Sequence, residues 1–86
     1  MSELAVLIID VILAVGRPLT IQEIVSYLNN SPNRRKVYDY HSVYGAIYRE
    51  WKKEHYVFYE NIDVTPYTFG VNMDYMAQNG EPIVGP

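Results

Sequence analysis

The sequence predicts a small α+β domain in which three helices are followed by a two-stranded β-hairpin. Two segments near the start carry apolar residues at helical spacing, and a Gly-Arg-Pro break at residues 16–18 separates them. A third segment with the same spacing covers residues 40–54. Two short alternating runs then flank a cluster of turn-forming residues, which is typical of a hairpin. With 86 residues, 49% of them apolar, the chain has the composition of one small globular domain.

Helix 1 is predicted over residues 2–15, with Ser2 at its N-cap and Gly16 just beyond its end. One apolar side is expected to face the domain's own core: Leu4, Leu7, Ile8, Val11, Ile12 and Val15. A second apolar set lies roughly opposite and consists of Val6, Ile9 and Leu13. Because so short a chain has little with which to cover a helix on all sides, this set is predicted to form a homodimer interface. The alternative is that the chain's own C-terminal segment wraps the helix.

The next two helices each begin at a recognisable cap. Thr20 and Glu23 form a capping-box pattern, so helix 2 is predicted over residues 20–29. Asp39 is suited to cap helix 3, which is predicted over residues 40–54. The buried stripe of helix 3 is expected to comprise Val43, Tyr44, Ala46, Ile47 and Trp51. Its opposite face carries His41, Ser42, Gly45, Tyr48, Arg49 and Lys52.

The hairpin is predicted over residues 56–72 and completes a domain that covers residues 1–72. Its two strands are expected within residues 56–60 and 67–71, where apolar and polar residues alternate. The remaining segment, residues 73–86, contains two glycines and two prolines and is expected to be irregular.

Several classes of protein are disfavoured by what the sequence lacks. Cysteine is absent, and His41 and His55 have no carboxylates at zinc-binding spacing, so no metal or other cofactor is predicted. The longest apolar run has 12 residues and is interrupted by Asp10, against about 20 for a membrane-spanning helix. Without a signal-peptide pattern either, the protein is expected to be cytoplasmic. There is neither a nucleophilic triad pattern nor a glycine-rich phosphate loop, so the chain is predicted not to be an enzyme.

Charge is distributed unevenly along the chain. The formal net charge is −3, but six of the seven basic residues lie between Arg34 and Lys53, where Asp39 and Glu50 are the only acids. This window therefore carries +4 and the rest of the chain −7. A basic segment on an acidic body is typical of a nucleic-acid contact, but charge alone favours an ordinary solvated helix face.

Three helices followed by a hairpin is the order of a winged helix-turn-helix domain. Residues 42–57, SVYGAIYREWKKEHYV, resemble the recognition helix and first wing strand of PadR-like and MarR-like transcriptional regulators. Residues 18–24, with the pattern Pro-x-Thr-x-x-Glu-Ile, resemble the preceding helix of those families. The resemblance covers residues 17–71, and small winged-helix proteins of archaeal viruses and plasmids are similar in size and tyrosine content. The chain departs from the pattern in its longer linker, residues 30–38, and in His55, where such regulators commonly have glycine.

The resemblance implies a sequence-specific double-stranded DNA-binding protein, a dimeric transcriptional regulator such as a repressor, acting in the host cytoplasm if it is viral. Helix 3 would read the major groove. Two alternatives stay open: a winged-helix docking module for another protein, and a nonspecific architectural DNA-binding protein. The predicted DNA-binding residues are Arg34, Arg35, Lys36, Tyr40, His41, Ser42, Gly45, Tyr48, Arg49, Lys52 and Lys53.

The wing and the tyrosines carry separate expectations. The wing tip has no lysine or arginine and contains Asp63, so the wing is expected not to contact DNA. Core or strand packing is favoured for four of the nine tyrosines: Tyr27, Tyr44, Tyr56 and Tyr59. Contact with nucleic acid, including stacking on single-stranded bases, is considered for Tyr38, Tyr40 and Tyr48.

Overall fold

The computed structural model describes residues 2–32, 36–52 and 57–73, with the backbone alone at residues 50–52. The described residues form three α-helices and three β-strands, an α+β fold as predicted. In chain order they are α1 (Glu3–Val15), β1 (Leu19–Thr20), α2 (Ile21–Asn29), α3 (Tyr40–Lys52), β2 (Phe58–Asn61) and β3 (Thr68–Val71). None of the described helices is long and apolar enough to cross a membrane. The predicted end of helix 3, the start of the hairpin and nearly all of the C-terminal segment lie outside the described residues.

The sheet has three antiparallel strands in the order β1-β3-β2, one strand more than the predicted two-stranded hairpin. β2 and β3 form that hairpin, with Phe58 opposite Val71. The additional strand, β1, has two residues and pairs Leu19 with Phe69. Two residues are too few for an alternating pattern, and their pairing depends on where α1 and α2 hold them. The sequence pattern therefore gave no sign of this strand.

Both ends of α1 are set by local sequence, as predicted. The Ser2 hydroxyl accepts a hydrogen bond from the Ala5 amide at 3.1 Å. Gly16 ends the helix in the left-handed conformation, at φ 84°. Its amide donates to the Ile12 carbonyl at 2.9 Å and so satisfies one of the last carbonyls of the helix.

The buried side of α1 differs from the predicted side. Four residues spaced i, i+3, i+4 and i+7 are buried: Ala5, Ile8, Ile9 and Ile12. Ile9 is completely buried within the protomer, so its assignment to a homodimer interface is wrong. Val6 and Leu13, also assigned to that interface, are half-buried. Four residues predicted for the core are only partly buried: Leu4, Leu7, Val11 and Val15.

The cause of this error is geometric. Because α1 is apolar on almost every side, its periodicity alone does not select the arc that faces the core. α1 packs against α2, α3 and β3, and the arc they cover is centred on Ala5 and Ile9. The predicted core side omits the small Ala5, and it is therefore displaced around the helix relative to the side that is buried.

A charged cluster fixes the start of α2. The Thr20 hydroxyl accepts from the Glu23 amide at 3.1 Å, and the Glu23 carboxylate accepts from the Thr20 amide at 3.0 Å, which completes the predicted capping box. Arg17 lies before this cap, with its Nη2 2.9 Å from Glu23 Oε2. The hydrogen bond from Arg17, followed by that from the Thr20 amide, lowers the pKa of Glu23 to about 2.

The linker between α2 and α3 is held by a pair of hydrogen bonds. The Asn29 side-chain amide donates to the Tyr38 carbonyl, and the Tyr38 amide donates to Asn29 Oδ1, both at 2.8 Å. Tyr38 itself is buried, so the contact with nucleic acid considered for it is contradicted. These contacts set the point at which the chain enters α3.

The outer face of the sheet contains one close aromatic packing. Tyr59 on β2 lies opposite Gly70 on β3, and a Cβ placed on Gly70 would overlap the Tyr59 ring. Tyr59 is 44% exposed, and its ring packs across the strand, which is the strand packing predicted as one of two options for it. Glycine at position 70 therefore provides the space in which this ring lies across the strand.

We expect the Glu23 cluster to stabilise the fold at neutral pH and to lose this effect in acid. The unfolded pKa of glutamate is about 4.3 and the folded value of Glu23 is lower, so the stabilisation is present above about pH 5. It is lost as the pH falls towards 2. Glu23→Gln should lower the free energy of unfolding by about 1 kcal/mol at pH 7, measured by urea denaturation. The difference from the wild type should vanish near pH 2.

Glu3→Gln is the matched control, because Glu3 also lies in the first turn of a helix but is not the N3 residue of a capping box. An equal loss of stability in Glu23→Gln at pH 7 and pH 2 would show that the carboxylate charge is not responsible.

We expect Gly70→Ala to destabilise the protein by about 1–3 kcal/mol, because the new methyl group must displace the Tyr59 ring. Gly45→Ala is the control, since the nearest atom to a Cβ there is Arg49 Nη1 at 3.9 Å, an ordinary contact. Alanine at position 45 of α3 should instead stabilise the helix by up to about 1 kcal/mol. Urea denaturation of each variant measures both effects. If the cost of Gly70→Ala persists in a Tyr59→Ala background, the ring is not its cause.

Candidate nucleic-acid interface

The outward side of α3 is exposed where the sequence predicts it. Val43, Ala46 and Ile47 are buried against the rest of the domain. The other side presents five of the predicted site residues: the exposed His41, Ser42 and Arg49, and the half-exposed Gly45 and Tyr48. Because side chains three and four residues apart share one side of a helix, these residues form a continuous surface.

The basic residues predicted around α3 are described to different extents. Arg34, Arg35 and Lys53 lie outside the described residues, and Lys52 is the last residue of α3 with only its backbone described. Lys36 is exposed, and its ammonium group lies 5.5 Å from the centroid of the Tyr38 ring. This distance is within the range of a cation–π contact. Lys36 therefore lies on the linker that leads into α3.

The N-terminus of α3 is occupied by its own cap. Asp39 Oδ1 accepts from the Ser42 amide at 2.8 Å, and the Asp39 carbonyl accepts from the Val43 amide at 3.2 Å. The Ser42 amide, and after it the Ser42 hydroxyl, lower the pKa of Asp39. The amide and hydroxyl of Ser42 are thus already engaged, so Ser42 is less available for an external contact than its exposure suggests.

Three tyrosines form a stacked row along α3, which we call the tyrosine row: Tyr40, Tyr44 and Tyr48. The ring centroids of Tyr40 and Tyr44 are 6.0 Å apart with an interplanar angle of 19°. Those of Tyr44 and Tyr48 are 4.3 Å apart with an angle of 28°. Tyr44 is 40% exposed, so its predicted place in the buried stripe is wrong. The regular four-residue spacing of these tyrosines was visible in the sequence and could have indicated the row.

The tyrosine row is connected to the hairpin. The Tyr48 hydroxyl donates to Glu60 Oε2 on β2 at 3.3 Å. A hydrogen bond with Tyr44, burial and the negative charge of Glu60 together raise the pKa of Tyr48. The outward side of α3 and strand β2 are therefore joined through a chain of two phenols and a carboxylate.

The tip of the hairpin, residues 62–67, is exposed throughout and carries no cation. The Asp63 amide donates to Asn61 Oδ1 at 3.0 Å, which shapes the turn. Three apolar or aromatic side chains are exposed at the tip: Ile62, Val64 and Tyr67. The tip therefore differs in character from the outward side of α3, where Arg49 is exposed.

Searches of protein-family models, of curated proteins and of solved structures find no match to this chain. Within the described residues, no group of three or more histidine, aspartate or glutamate side chains is placed to hold a metal ion. An assignment of function therefore depends on the geometry and chemistry of the surface around α3.

Tyr27 is a second tyrosine that is more exposed than predicted. Tyr27 on α2, predicted to pack in the core, is 47% exposed, which equals the exposure of Tyr40. Tyr56 lies outside the described residues. Tyrosine combines a large apolar ring with a polar hydroxyl, so apolar periodicity is a poor guide to its burial.

We expect the Tyr48 phenol to stay protonated at alkaline pH values above the ordinary phenol pKa of about 10. Its ionisation would place a second negative charge beside Glu60. In a spectrophotometric titration of the folded protein, Tyr48→Phe should give the same phenolate absorbance as the wild type until the fold is lost. In concentrated urea, the variant should titrate eight phenols against nine in the wild type. A loss of one phenol in the folded protein near pH 10 would contradict the predicted direction of the shift.

Proposed function

We propose that this protein binds double-stranded DNA through the outward side of α3, as a winged-helix transcriptional regulator that acts as a dimer. The observation that carries the proposal is the exposed surface of α3, on which Arg49 and His41 lie beside hydrogen-bonding side chains. The helix order and the antiparallel hairpin after α3 are compatible with a winged helix. The proposal is for a binding protein, and no catalytic role is assigned to any residue.

The dimensions of α3 support this function. A helix of 13 residues is about 20 Å long and, with its side chains, about 10–12 Å in diameter. The major groove of B-DNA is about 12 Å wide and admits such a helix. Val43, Ala46 and Ile47 are committed to the core. The described part of the outward side, from His41 to Arg49, is therefore available for contact. Arginine is the residue most often used for guanine and phosphate contacts, and Arg49 is exposed near the C-terminal end of α3.

The proposed dimer is compatible with the side of α1 that the chain covers only in part. Ile9 is buried and is excluded from this interface. The apolar residues that remain partly uncovered on this side include Val6, Leu7, Val11 and Leu13. A second copy packed on this surface would place two α3 helices on one side of a duplex, reading half-sites about 34 Å apart. A repressor would then act by occupying such a site.

A protein-docking function is the second candidate, and the hairpin tip favours it. Ile62, Val64 and Tyr67 are exposed there beside Asp63, without a lysine or arginine among residues 62–67. Exposed apolar side chains on a projecting tip are typical of contacts with another protein, and Asp63 would repel phosphate. This alternative requires no role for Arg49.

We expect Arg49→Ala to weaken the binding of duplex DNA roughly tenfold at low salt and to reduce the magnitude of the salt slope by about 1. The slope is the change in log affinity with log salt concentration, and it counts the phosphates neutralised by the protein. Fluorescence anisotropy with labelled duplexes measures both quantities. The duplexes are first selected from a random pool with the wild-type protein.

Arg17→Ala is the control, because it removes the same charge from a residue outside the proposed DNA-binding surface. Arg17 is the one basic residue outside the window from Arg34 to Lys53, and it already pairs with Glu23. Its removal should leave the salt slope almost unchanged.

The selection separates the candidate functions. A two-fold symmetric enriched site supports a dimeric sequence-specific regulator. Salt-sensitive binding without an enriched site indicates architectural binding. An absence of duplex binding even at low salt contradicts the proposal and leaves the docking function.

A further inference from the structure

We propose that Tyr40 contacts the DNA backbone by donating a hydrogen bond from its uncharged hydroxyl group to a phosphate. The other two residues of the tyrosine row hold the Tyr40 ring in position for this contact. The inference rests on the DNA-binding function proposed above and names one specific contact within that site. It differs from the charge-based contacts because a phenol carries no positive charge.

The stacking within the tyrosine row favours a hydroxyl contact over base stacking. Tyr44 lies between two stacked neighbours, so both faces of its ring are covered. Tyr40 stacks on Tyr44 and also meets the His41 ring at 6.1 Å in an edge-to-face arrangement. Bases of a single strand stack on open aromatic faces. Stacking within the row takes up part of the aromatic surface of these rings, and this favours a contact through the hydroxyl group of Tyr40 over stacking on a base.

Tyr40 is the member of the row whose hydroxyl is available. The Tyr48 hydroxyl is bound to Glu60, and Tyr44 is hydrogen-bonded to Tyr48. The Tyr40 side chain is 47% exposed, and no hydrogen bond joins its hydroxyl to any of the described residues. A phenol donates one hydrogen bond, and tyrosine is among the side chains that donate to DNA phosphates.

The position of Tyr40 on α3 suits a backbone contact. It is the first residue of the helix, at the end where free backbone amides often bind phosphate. Here the Asp39 carboxylate occupies the Ser42 amide. The Asp39 carboxylate also places a negative charge at this end, which favours a phosphate contact through side chains that extend beyond it. Tyr40 and the nearby Lys36 are both exposed there.

The row also holds the Tyr40 ring in place. Stacking on Tyr44, which stacks on Tyr48, connects Tyr40 through Glu60 to strand β2. A ring held in this way loses less rotational freedom when it binds than an isolated surface tyrosine. Tyr44 and Tyr48 thus act as positioning residues for the proposed contact.

The test uses Tyr40→Phe, which keeps the stacked ring and removes the hydroxyl. In anisotropy titrations with the selected duplex, we expect Kd to rise about ten- to a hundredfold, the range for one hydrogen bond to a charged acceptor. The rise should be the same at low and high salt, because a phenol releases no counterions. Arg49→Ala, in contrast, should reduce the magnitude of the salt slope by about 1.

Tyr27→Phe is the matched control. Tyr27 has the same exposure as Tyr40, 47%, but lies on α2 within electrostatic range of Arg17. Its substitution should leave Kd unchanged. Urea denaturation of both variants confirms that any change in Kd does not come from loss of the fold.

The outcomes distinguish this inference from the proposed function. If the wild type and Arg49→Ala behave as expected but Tyr40→Phe binds as the wild type does, the hydroxyl contact is wrong and DNA binding stands. If Tyr40→Phe is neutral, Tyr40→Leu weakens binding and single strands bind more tightly than duplexes, the residue stacks on bases instead. If the wild type does not bind duplex DNA at low salt, both proposals fail.

Discussion

The burial of one arc of α1 is the constraint on which the rest of the structure depends. Ala5, Ile8, Ile9 and Ile12 are covered by α2, α3 and β3, and burial of this apolar area supplies much of the driving force for so small a fold. The contact with α3 commits its inner residues to the core. The opposite side of α3 is consequently directed away from the protein. The exposure of the candidate site is thus a result of how the core is assembled.

Those parts of the fold that local interactions determine could be predicted from the sequence. Ser2, Gly16 and the pair Thr20 and Glu23 fulfil their predicted capping roles because a cap involves residues within four positions of each other. The arc of α1 that faces the core and the strand β1 could not be predicted in the same way. Both are selected by elements distant in sequence, and an almost wholly apolar helix offers no polar face to exclude the wrong choice.

The candidate site was predictable in its charged and small polar residues and less so in its aromatic ones. His41, Ser42 and Arg49 are exposed on the predicted side of α3 because polar residues mark the outward side of an amphipathic helix. Tyr38 and Tyr44 exchanged the expected places, since Tyr38 is buried and Tyr44 is exposed. Whether a tyrosine side chain is buried depends on the residues that it packs against. Tyr44 stacks on rings four residues away on either side, whereas the Tyr38 backbone is held by Asn29.

The charge balance of the chain has a consequence for the proposed DNA-binding surface. Outside the window between Arg34 and Lys53 the chain carries −7, so most of its surface repels a duplex at long range. Approach is favourable only with the basic window turned towards the phosphates, which restricts the orientation of the first encounter. Two acids lie at this surface: Asp39, which is inside the window, and Glu60 on β2, which is outside it in sequence. Asp39 accepts a hydrogen bond from the Ser42 amide, and Glu60 accepts one from the Tyr48 hydroxyl. These hydrogen bonds partly offset the negative charge of the two carboxylates. The carboxylates therefore hold the residues of this surface in place while repelling a phosphate less than free carboxylates would. If this surface binds DNA as proposed, much of its affinity would come from uncharged contacts, and the tyrosine row provides side chains suited to them.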